Sequence, residues 1–196
     1  INSGIDIYPG GTLMEIAYQQ KKDIQYINWV KNLGFSMIEI SDGIFNLDRK
    51  KRWDTIKRSK DAGLKVITEV GAKDSEVEIP ISQICENIIL DLDHGAEKVI
   101  IEGRESGKNI GVYDNEGNIL DKKVISILEG INHRQNDIIW EAPQQHQQAS
   151  FIQRFGSNVN LGNILPRDIL GLEALRQGLR YETLVHFVSE NKLKNG

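Results

Sequence analysis

Short runs of β-branched and aliphatic residues alternate along the chain with longer segments in which apolar side chains recur every three or four positions. The short runs predict six strands, at residues 5–8, 36–40, 64–70, 98–102, 137–141 and 159–164. The longer segments predict helices near residues 11–33, 49–62, 82–94, 121–130, 144–155 and 166–177, with a last helix after residue 180. Strict alternation of strands and helices indicates parallel βα units.

Two architectures suit six βα units: an open doubly wound sheet, or a (β/α)8 TIM barrel from which two units are absent. A whole barrel typically needs about 250 residues, and the chain has 196. This deficit of roughly fifty residues favours an α/β TIM barrel with roughly the first two βα units missing. We therefore predict a single β/α-barrel domain over residues 1–196, incomplete at its N-terminus, and the start at Ile1 rather than Met favours the same hypothesis. Residues 111–120 predict a short hairpin in the loop after the fourth predicted strand.

Composition and charge exclude several classes of partner. The net charge is −4, and the short basic run from Arg49 to Arg52 is interpreted as a solvated first helical turn, so nucleic acid is not expected as a partner. No stretch approaches the roughly 18 apolar residues that a membrane span needs, so we expect no membrane partner and a cytoplasmic protein. The single cysteine, Cys85, lies in an apolar helical stretch and is interpreted as a core residue.

Acidic residues stand at the ends of four predicted strands, and turn residues follow each of them. They are Glu39, Glu69, Glu102 and Glu141, and Asp42 follows the first of them. Because the carboxyl ends of parallel strands meet at one edge, these side chains are predicted to converge. Clustered carboxylates favour a hard divalent cation, with Mg²⁺ preferred by oxygen ligands. A single such acid is more often a helix cap or a lysine partner, but four at equivalent positions favour the metal.

Basic residues follow two of these acids. Lys73 comes four residues after Glu69, and Arg104 and Lys108 follow Glu102. Carboxylates for a metal beside cations for anions suit a small, multiply charged substrate such as a phosphorylated carboxylate. A surface ion pair is an equally good interpretation for Lys108. Residues 103–109 resemble a phosphate-binding P-loop, but the spacing is one residue short and Asn109 replaces the required Ser or Thr, which excludes a nucleotide site.

Several segments, in chain order, resemble the phosphosulfolactate synthase family. They are Tyr-Pro-Gly-Gly-Thr-Leu at 8–13, Ile-Glu-Ile-Ser-Asp-Gly at 38–43, Thr-Glu-Val-Gly at 68–71, Val-Ile-Ile-Glu-Gly-Arg-Glu-Ser-Gly at 99–107, Glu-Ala-Pro-Gln at 141–144 and Phe-Gly-Ser-Asn-Val-Asn-Leu at 155–161. The resemblance covers nearly all of the chain, and the nine residues at 99–107 are its most specific part.

The resemblance implies a Mg²⁺-dependent lyase of (β/α)8 form that joins sulfite to phosphoenolpyruvate. The product would be (2R)-2-phospho-3-sulfolactate, the first step of one route to coenzyme M, and in bacteria without that coenzyme the same product leads to sulfolactate. It further implies a homo-oligomer, with a trimer as the candidate assembly.

The resemblance also implies roles for individual residues. Lys73 would be the general acid that protonates C2 of the substrate. The candidates for holding Mg²⁺ or its water shell are Glu69, Glu102 and Glu141. The candidates for binding the anionic groups of the substrate are Arg104, Ser106, Ser157 and Asn160. Two departures weaken the match: Gly-Ala-Lys at 71–73 stands where the family has Gly-Lys-Lys, and Ile-Phe-Asn at 44–46 replaces a Ser-rich stretch.

Two alternative functions fit the same residues. One is another Mg²⁺-dependent barrel enzyme that acts on an enol phosphate or a 2-oxo acid without sulfite. The other is a non-catalytic paralogue that binds a phosphorylated metabolite or serves as a structural subunit. The presence of both Lys73 and Glu69 favours an enzyme.

Overall fold

The computed structural model describes residues 4–41, 43–45, 47–72, 79–132 and 134–194, with side chains described as far as Ser189. Within these ranges the strands are β1 (Met37–Ile40), β2 (Lys65–Val70), β3 (Lys98–Ile101), β4 (Ile138–Glu141) and β5 (Leu161–Gly162). The α-helices are α1 (Gly11–Gln19), α2 (Asp23–Asn32), α3 (Arg49–Asp61), α4 (Ile81–His94), α5 (Asp121–Gly130), α6 (Gln145–Phe155), α7 (Ile169–Arg176) and α8 (Tyr181–Lys194). β1 pairs with β2, β2 with β3, and β4 with β5, all in parallel, so the chain has an α/β fold.

The predicted strand at residues 5–8 is wrong. This segment is irregular in the structure, and the side chains of Ile5 and Ile7 are 68% and 42% exposed. Within this segment the Asp6 carboxylate accepts hydrogen bonds from Ser36 Oγ (2.7 Å) and Lys65 Nζ (3.2 Å). An alternating apolar pattern forms a strand only where the segment can pair with a neighbouring strand and pack against an apolar layer.

The single helix predicted over residues 11–33 is two helices. α1 ends at Gln19, Lys21 adopts a left-handed conformation with φ +56°, and α2 begins at Asp23. The polar run at 19–23 leaves no apolar side chain to hold a continuous helix against the core. The turn brings both helices onto one core, where Met14 and Val30 pack together with β1 and β2.

The chain divides into two compact units. The first comprises residues 1–102 and 125–138, and the second comprises residues 103–124 and 139–196. In the first, a core cluster that includes Ile38, Ile56 and Val66 joins strands to helices. In the second, the ring of Trp140 stacks on that of Phe151, with ring centroids 5.0 Å apart. The single domain expected from the sequence stays a prediction.

The basic run at the start of α3 is only partly solvated. Arg49 and Lys51 are exposed as expected, but the interpretation is wrong for Arg52, which is 4% exposed. Arg52 lies on the same face of α3 as the buried Thr55 and Ile56, three and four residues later, so helical periodicity directs it inward. The interpretation of Cys85 as a core residue is confirmed, since its side chain is buried.

None of the helices in the described part of the chain has the length and the apolar character that crossing a bilayer requires.

Candidate active site

Three of the four strand-end acids lie on one face of the β1–β3 sheet. Glu39 pairs with Ile67 on β2, and Glu69, two residues further along β2, pairs with Ile100 on β3. Residues paired across parallel strands share a face, and side chains alternate along each strand, so Glu102, two residues after Ile100, lies on that face as well. All three residues are buried, with exposures of 8%, 6% and 4%.

Glu39 is held at the N-terminus of α1. Its Oε1 accepts a hydrogen bond from the backbone N–H of Gly11 (2.8 Å), the first residue of that helix. A negative charge there is favoured by the helix dipole. Gly11 is tightly enclosed, because a Cβ at this position would lie 2.5 Å from Ser41 Oγ and 2.6 Å from Glu39 Oε1. Burial and the nearby Glu39 carboxylate raise the pKa of the Tyr26 phenol to about 12.

A second buried carboxylate fixes the loop after β1. Glu15 of α1 accepts a hydrogen bond from Ser41 Oγ (2.6 Å) through Oε1. Its Oε2 accepts two more, from the backbone N–H groups of Ile44 and Phe45, both at 2.9 Å. The loop that follows Glu39 is therefore anchored to α1. Asp42, in this loop, falls outside the described residues.

A buried ion pair fixes the carboxyl end of β2. The Arg52 guanidinium contacts the Asp91 carboxylate of α4, with Nη2 2.6 Å from Oδ2. The same Nη2 donates to the backbone carbonyl of Glu69 (2.9 Å). The guanidinium thus joins α3, α4 and the strand end that carries Glu69, which restricts the position of the Glu69 backbone.

Glu102 lies directly against the turn after β2. Gly71 has φ +126°, and a Cβ at this position would lie 2.7 Å from Glu102 Cβ. Glycine is required for both reasons, the positive φ and the close approach. Lys73, two residues further on, falls in the undescribed stretch 73–78, so its predicted role as the general acid stays a prediction.

Glu141, at the end of β4, contacts the loop that begins at Gly103. Its Oε2 accepts hydrogen bonds from the backbone N–H groups of Gly103 (2.7 Å) and Arg104 (3.1 Å). Its backbone carbonyl accepts a hydrogen bond from the hydroxyl of Tyr113 in the same loop. Burial, and secondarily the Glu141 carboxylate, raise the pKa of the Tyr113 phenol, so that it stays a neutral donor.

The loop from Gly103 to Leu120 is ordered by glutamine side chains of α6 and its cap. Gln144 Nε2 donates to the Ser106 carbonyl (2.6 Å), and Gln147 Nε2 donates to the carbonyls of Gly107 (2.8 Å) and Gly117 (2.9 Å). The predicted hairpin at 111–120 is confirmed by an antiparallel bridge between Tyr113 and Ile119. These contacts leave the side chains of Arg104 and Ser106 exposed.

Ser157 and Asn160 lie in the connection from α6 to β5, before the strand begins. Trp140 pairs with Leu161, and its N–H donates to the Asn160 carbonyl (3.0 Å), so Asn160 marks the amino end of β5. Glu141, at the carboxyl end of β4, pairs with Gly162, two residues after Asn160. A role for Ser157 and Asn160 in substrate binding stays a prediction.

The oxygen atoms of the strand-end carboxylates are a suitable type of ligand for Mg²⁺, but the described carboxylates do not form a complete set of ligands. Among the described residues, no group of three or more His, Cys, Asp or Glu side chains is arranged to hold a metal ion. Mg²⁺ is commonly held by one or two carboxylates, with water and substrate oxygens completing its octahedron. Glu69 and Glu102 are buried oxygen donors on one sheet face and fit that requirement.

The side chains that support these strand ends and loops were not among the predicted residues. They are Glu15, Arg52, Asp91, Gln144 and Gln147. Charged residues on the apolar face of a predicted helix, as with Arg52 beside Thr55 and Ile56, are a signal that could have indicated some of them.

A family model described as (2R)-phospho-3-sulfolactate synthase (ComA) matches residues 2–182. The phosphosulfolactate synthase of Methanocaldococcus jannaschii is 46% identical over 182 residues, which are 92% of this chain and 72% of that protein. The chain belongs to the phosphosulfolactate synthase family. The resemblance found in the sequence is thereby confirmed, and the chain is a member of an enzyme family.

Two further members of the phosphosulfolactate synthase family match the chain over a similar length. The phosphosulfolactate synthase of Methanothermobacter thermautotrophicus is 41% identical over 182 residues, 92% of this chain and 70% of that protein. That of Bacillus subtilis is 39% identical over 181 residues, 91% of this chain and 71% of that protein. The family match includes all five strands and every candidate site residue.

Proposed function

We propose that the chain catalyses the Mg²⁺-dependent addition of sulfite to phosphoenolpyruvate, giving (2R)-2-phospho-3-sulfolactate. The observation that carries this proposal is family membership together with two buried carboxylates, Glu69 and Glu102, on one sheet face. The parallel strands joined by helices support a (β/α)8 barrel as the complete fold. Absence of the first two βα units, a cytoplasmic location and a homo-oligomer, with a trimer as the candidate, stay predictions.

The proposed reaction forms one C–S bond and one C–H bond. The lone pair on the sulfur of sulfite attacks the methylene carbon of phosphoenolpyruvate, and the electron pair of the C=C bond moves toward the carboxylate. A proton is then delivered to C2, where the electron pair returns. Negative charge therefore builds up on the carboxylate before protonation, and stabilising that charge is the main requirement for catalysis.

The acidic face is proposed to hold the metal. Glu69 and Glu102 would bind Mg²⁺ directly or through its waters. The carboxylate of Glu141, the third candidate from the sequence, instead accepts hydrogen bonds from the backbone of Gly103 and Arg104. When bound, Mg²⁺ supplies positive charge for the carboxylate or phosphate oxygens of the substrate. Arg52, through the Glu69 carbonyl, restricts the position of the strand end from which the Glu69 carboxylate extends.

Cationic residues are proposed to bind the anionic groups and to donate the proton. Lys73 would donate its proton to C2, in keeping with its position four residues after Glu69. Arg104 would bind the phosphate or the sulfonate, because a guanidinium matches these groups with paired N–H donors. Ser106 is proposed as a second donor in the same exposed turn.

The proposed activity is tested by mixing the purified protein with phosphoenolpyruvate, Mg²⁺ and sulfite, and following the loss of the enol absorbance. We expect loss only when sulfite and Mg²⁺ are both present, and we expect it to be abolished by a chelator and by Glu69→Ala. Consumption that does not need sulfite would instead favour an enzyme acting on an enol phosphate or a 2-oxo acid. Binding of phosphoenolpyruvate without consumption would favour a non-catalytic paralogue.

A further inference from the structure

The turn that carries Arg104 has an unusual backbone. Arg104 has φ +57°, in the left-handed region that side-chain-bearing residues rarely adopt. Successive N–H groups beside such a residue turn toward one point and form a concavity that binds anions. In this chain the anion is part of the protein, since Glu141 Oε2 accepts from both Gly103 and Arg104, at 2.7 and 3.1 Å.

The space around Gly103 shows how closely this turn is held to the end of β4. A Cβ on Gly103 would lie 2.9 Å from the Glu141 carbonyl oxygen and 3.1 Å from Tyr113 Cε2. The Tyr113 hydroxyl binds the same carbonyl. Glu141 therefore contacts the loop through both its side chain and its backbone.

The other end of the turn is fixed independently. The N–H of Gly107 donates to the Arg104 carbonyl (3.3 Å), which closes the turn, and Gln144 holds the Ser106 carbonyl (2.6 Å). The Arg104 side chain remains exposed between these two anchors. The Glu141 carboxylate binds the N–H groups of two successive residues, Gly103 and Arg104, and this paired contact stabilises the left-handed conformation of Arg104.

We propose that Glu141 is a positioning residue, which holds Arg104 in its left-handed conformation and so fixes the guanidinium for the phosphate or sulfonate of the substrate, instead of ligating Mg²⁺. The role of Arg104 rests on the proposed function, whereas the hold of Glu141 on the backbone does not. To hold the backbone of Arg104, the side chain at position 141 needs only to accept a hydrogen bond. A glutamine can supply the acceptor, but it replaces a metal-binding carboxylate poorly.

Three variants separate positioning from metal binding: Glu141→Gln, Glu141→Ala and Arg104→Ala. Glu141→Gln should keep the KM for phosphoenolpyruvate within about threefold, whereas Glu141→Ala should raise KM or lower kcat/KM by about 10- to 100-fold, as misplacement of a binding group does. The double variant Glu141→Ala with Arg104→Ala should be no worse than Arg104→Ala alone, because both changes remove the same contact. In all of them the Mg²⁺ concentration for half-maximal activity should stay unchanged.

A rise in the required Mg²⁺ concentration for both Glu141→Gln and Glu141→Ala would overturn the proposal and make Glu141 a metal ligand. Additive losses in the double variant would overturn it as well. Glu116→Ala, which removes an exposed acid from the hairpin turn of the same loop, is the matched control and should change none of these quantities.

Limited digestion with trypsin tests whether Glu141 stabilises the backbone at Arg104, and it does not require an activity assay. Cleavage after Arg104 should be faster in Glu141→Ala than in the unaltered protein, and Glu141→Gln should restore protection. If cleavage after Arg104 were equally fast in Glu141→Ala and in the unaltered protein, Glu141 would not stabilise the backbone of this turn. If the protein proves not to use sulfite, the protection pattern still decides the structural part of the proposal. Circular dichroism of each variant identifies any that fail to fold, and for such a variant Glu141→Asp replaces Glu141→Ala.

Discussion

Arg52→Met removes a guanidinium that joins α3 to α4 and to the end of β2, while most of the apolar stem remains. The side chains of Arg52 and Asp91 are 5% and 1% exposed, and three hydrogen bonds of 2.6, 2.9 and 3.1 Å connect them. Breaking such a pair from one side typically costs about 3–5 kcal/mol, because the other charge stays buried without compensation. Since the Glu69 carbonyl also loses a donor, we expect a loss of about 4 kcal/mol in the free energy of unfolding.

The same two helices provide a control. Arg49 of α3 contacts Glu86 of α4 through two hydrogen bonds of 2.8 Å, but these side chains are 45% and 52% exposed. Water and salt screen such a pair, so Arg49→Met should leave the free energy of unfolding unchanged within error. Urea unfolding followed by tryptophan fluorescence, with the slope of the transition held common, measures both variants.

A double variant tests whether the uncompensated charge of Asp91 causes this loss. Adding Asp91→Asn to Arg52→Met removes the remaining buried charge, and it should recover part of the lost stability. The reasoning would be refuted if Arg52→Met cost less than about 1 kcal/mol, or if Arg49→Met proved as damaging as Arg52→Met.

Two further predictions concern α1 and the proposed proton donor. Gly11→Ala should destabilise the protein by about 3 kcal/mol, because its methyl group would overlap Ser41 Oγ and Glu39 Oε1. Thermal unfolding checks this against Gly10→Ala, whose methyl meets nothing within 4 Å and should cost about 1 kcal/mol or less at the N-cap; equal losses would contradict the steric argument. Lys73→Ala should lower kcat while the KM for phosphoenolpyruvate stays near normal, since the proton is needed only in the transition state. If steady-state kinetics show only weaker apparent affinity, Lys73 is an anion-binding residue.

Local patterns in the sequence predict most of the fold. The aliphatic runs that became β2 and β3 are buried on both faces, so their apolar residues are continuous and easy to identify. The segment at 5–8 has a similar pattern but Ile5 is exposed, because a strand depends on a neighbour that the sequence of the segment does not specify. The break at Lys21 depends on how α1 and α2 share one core, which is a tertiary property.

The candidate site was predictable in its chemistry and less so in its contacts. Carboxylates at the ends of parallel strands must lie at one edge, and the structure places Glu39, Glu69 and Glu102 on one face. Spacing does not show that Glu39 binds the N-terminus of α1 or that Glu141 binds the turn at Arg104, because the partners are 28 and 37 residues away. These backbone N–H partners have no sequence signal of their own.

Labelled sulfite tests the proposed activity most directly. The purified protein is incubated with radiolabelled sulfite, unlabelled phosphoenolpyruvate and Mg²⁺, and phosphorylated products are separated and analysed for a C–S bond. The label is predicted to enter a phosphorylated sulfonate in a one-to-one ratio with the phosphoenolpyruvate consumed, and to be lost in Glu69→Ala. Consumption of phosphoenolpyruvate without incorporation of label, or no consumption by folded protein, would contradict the proposed function.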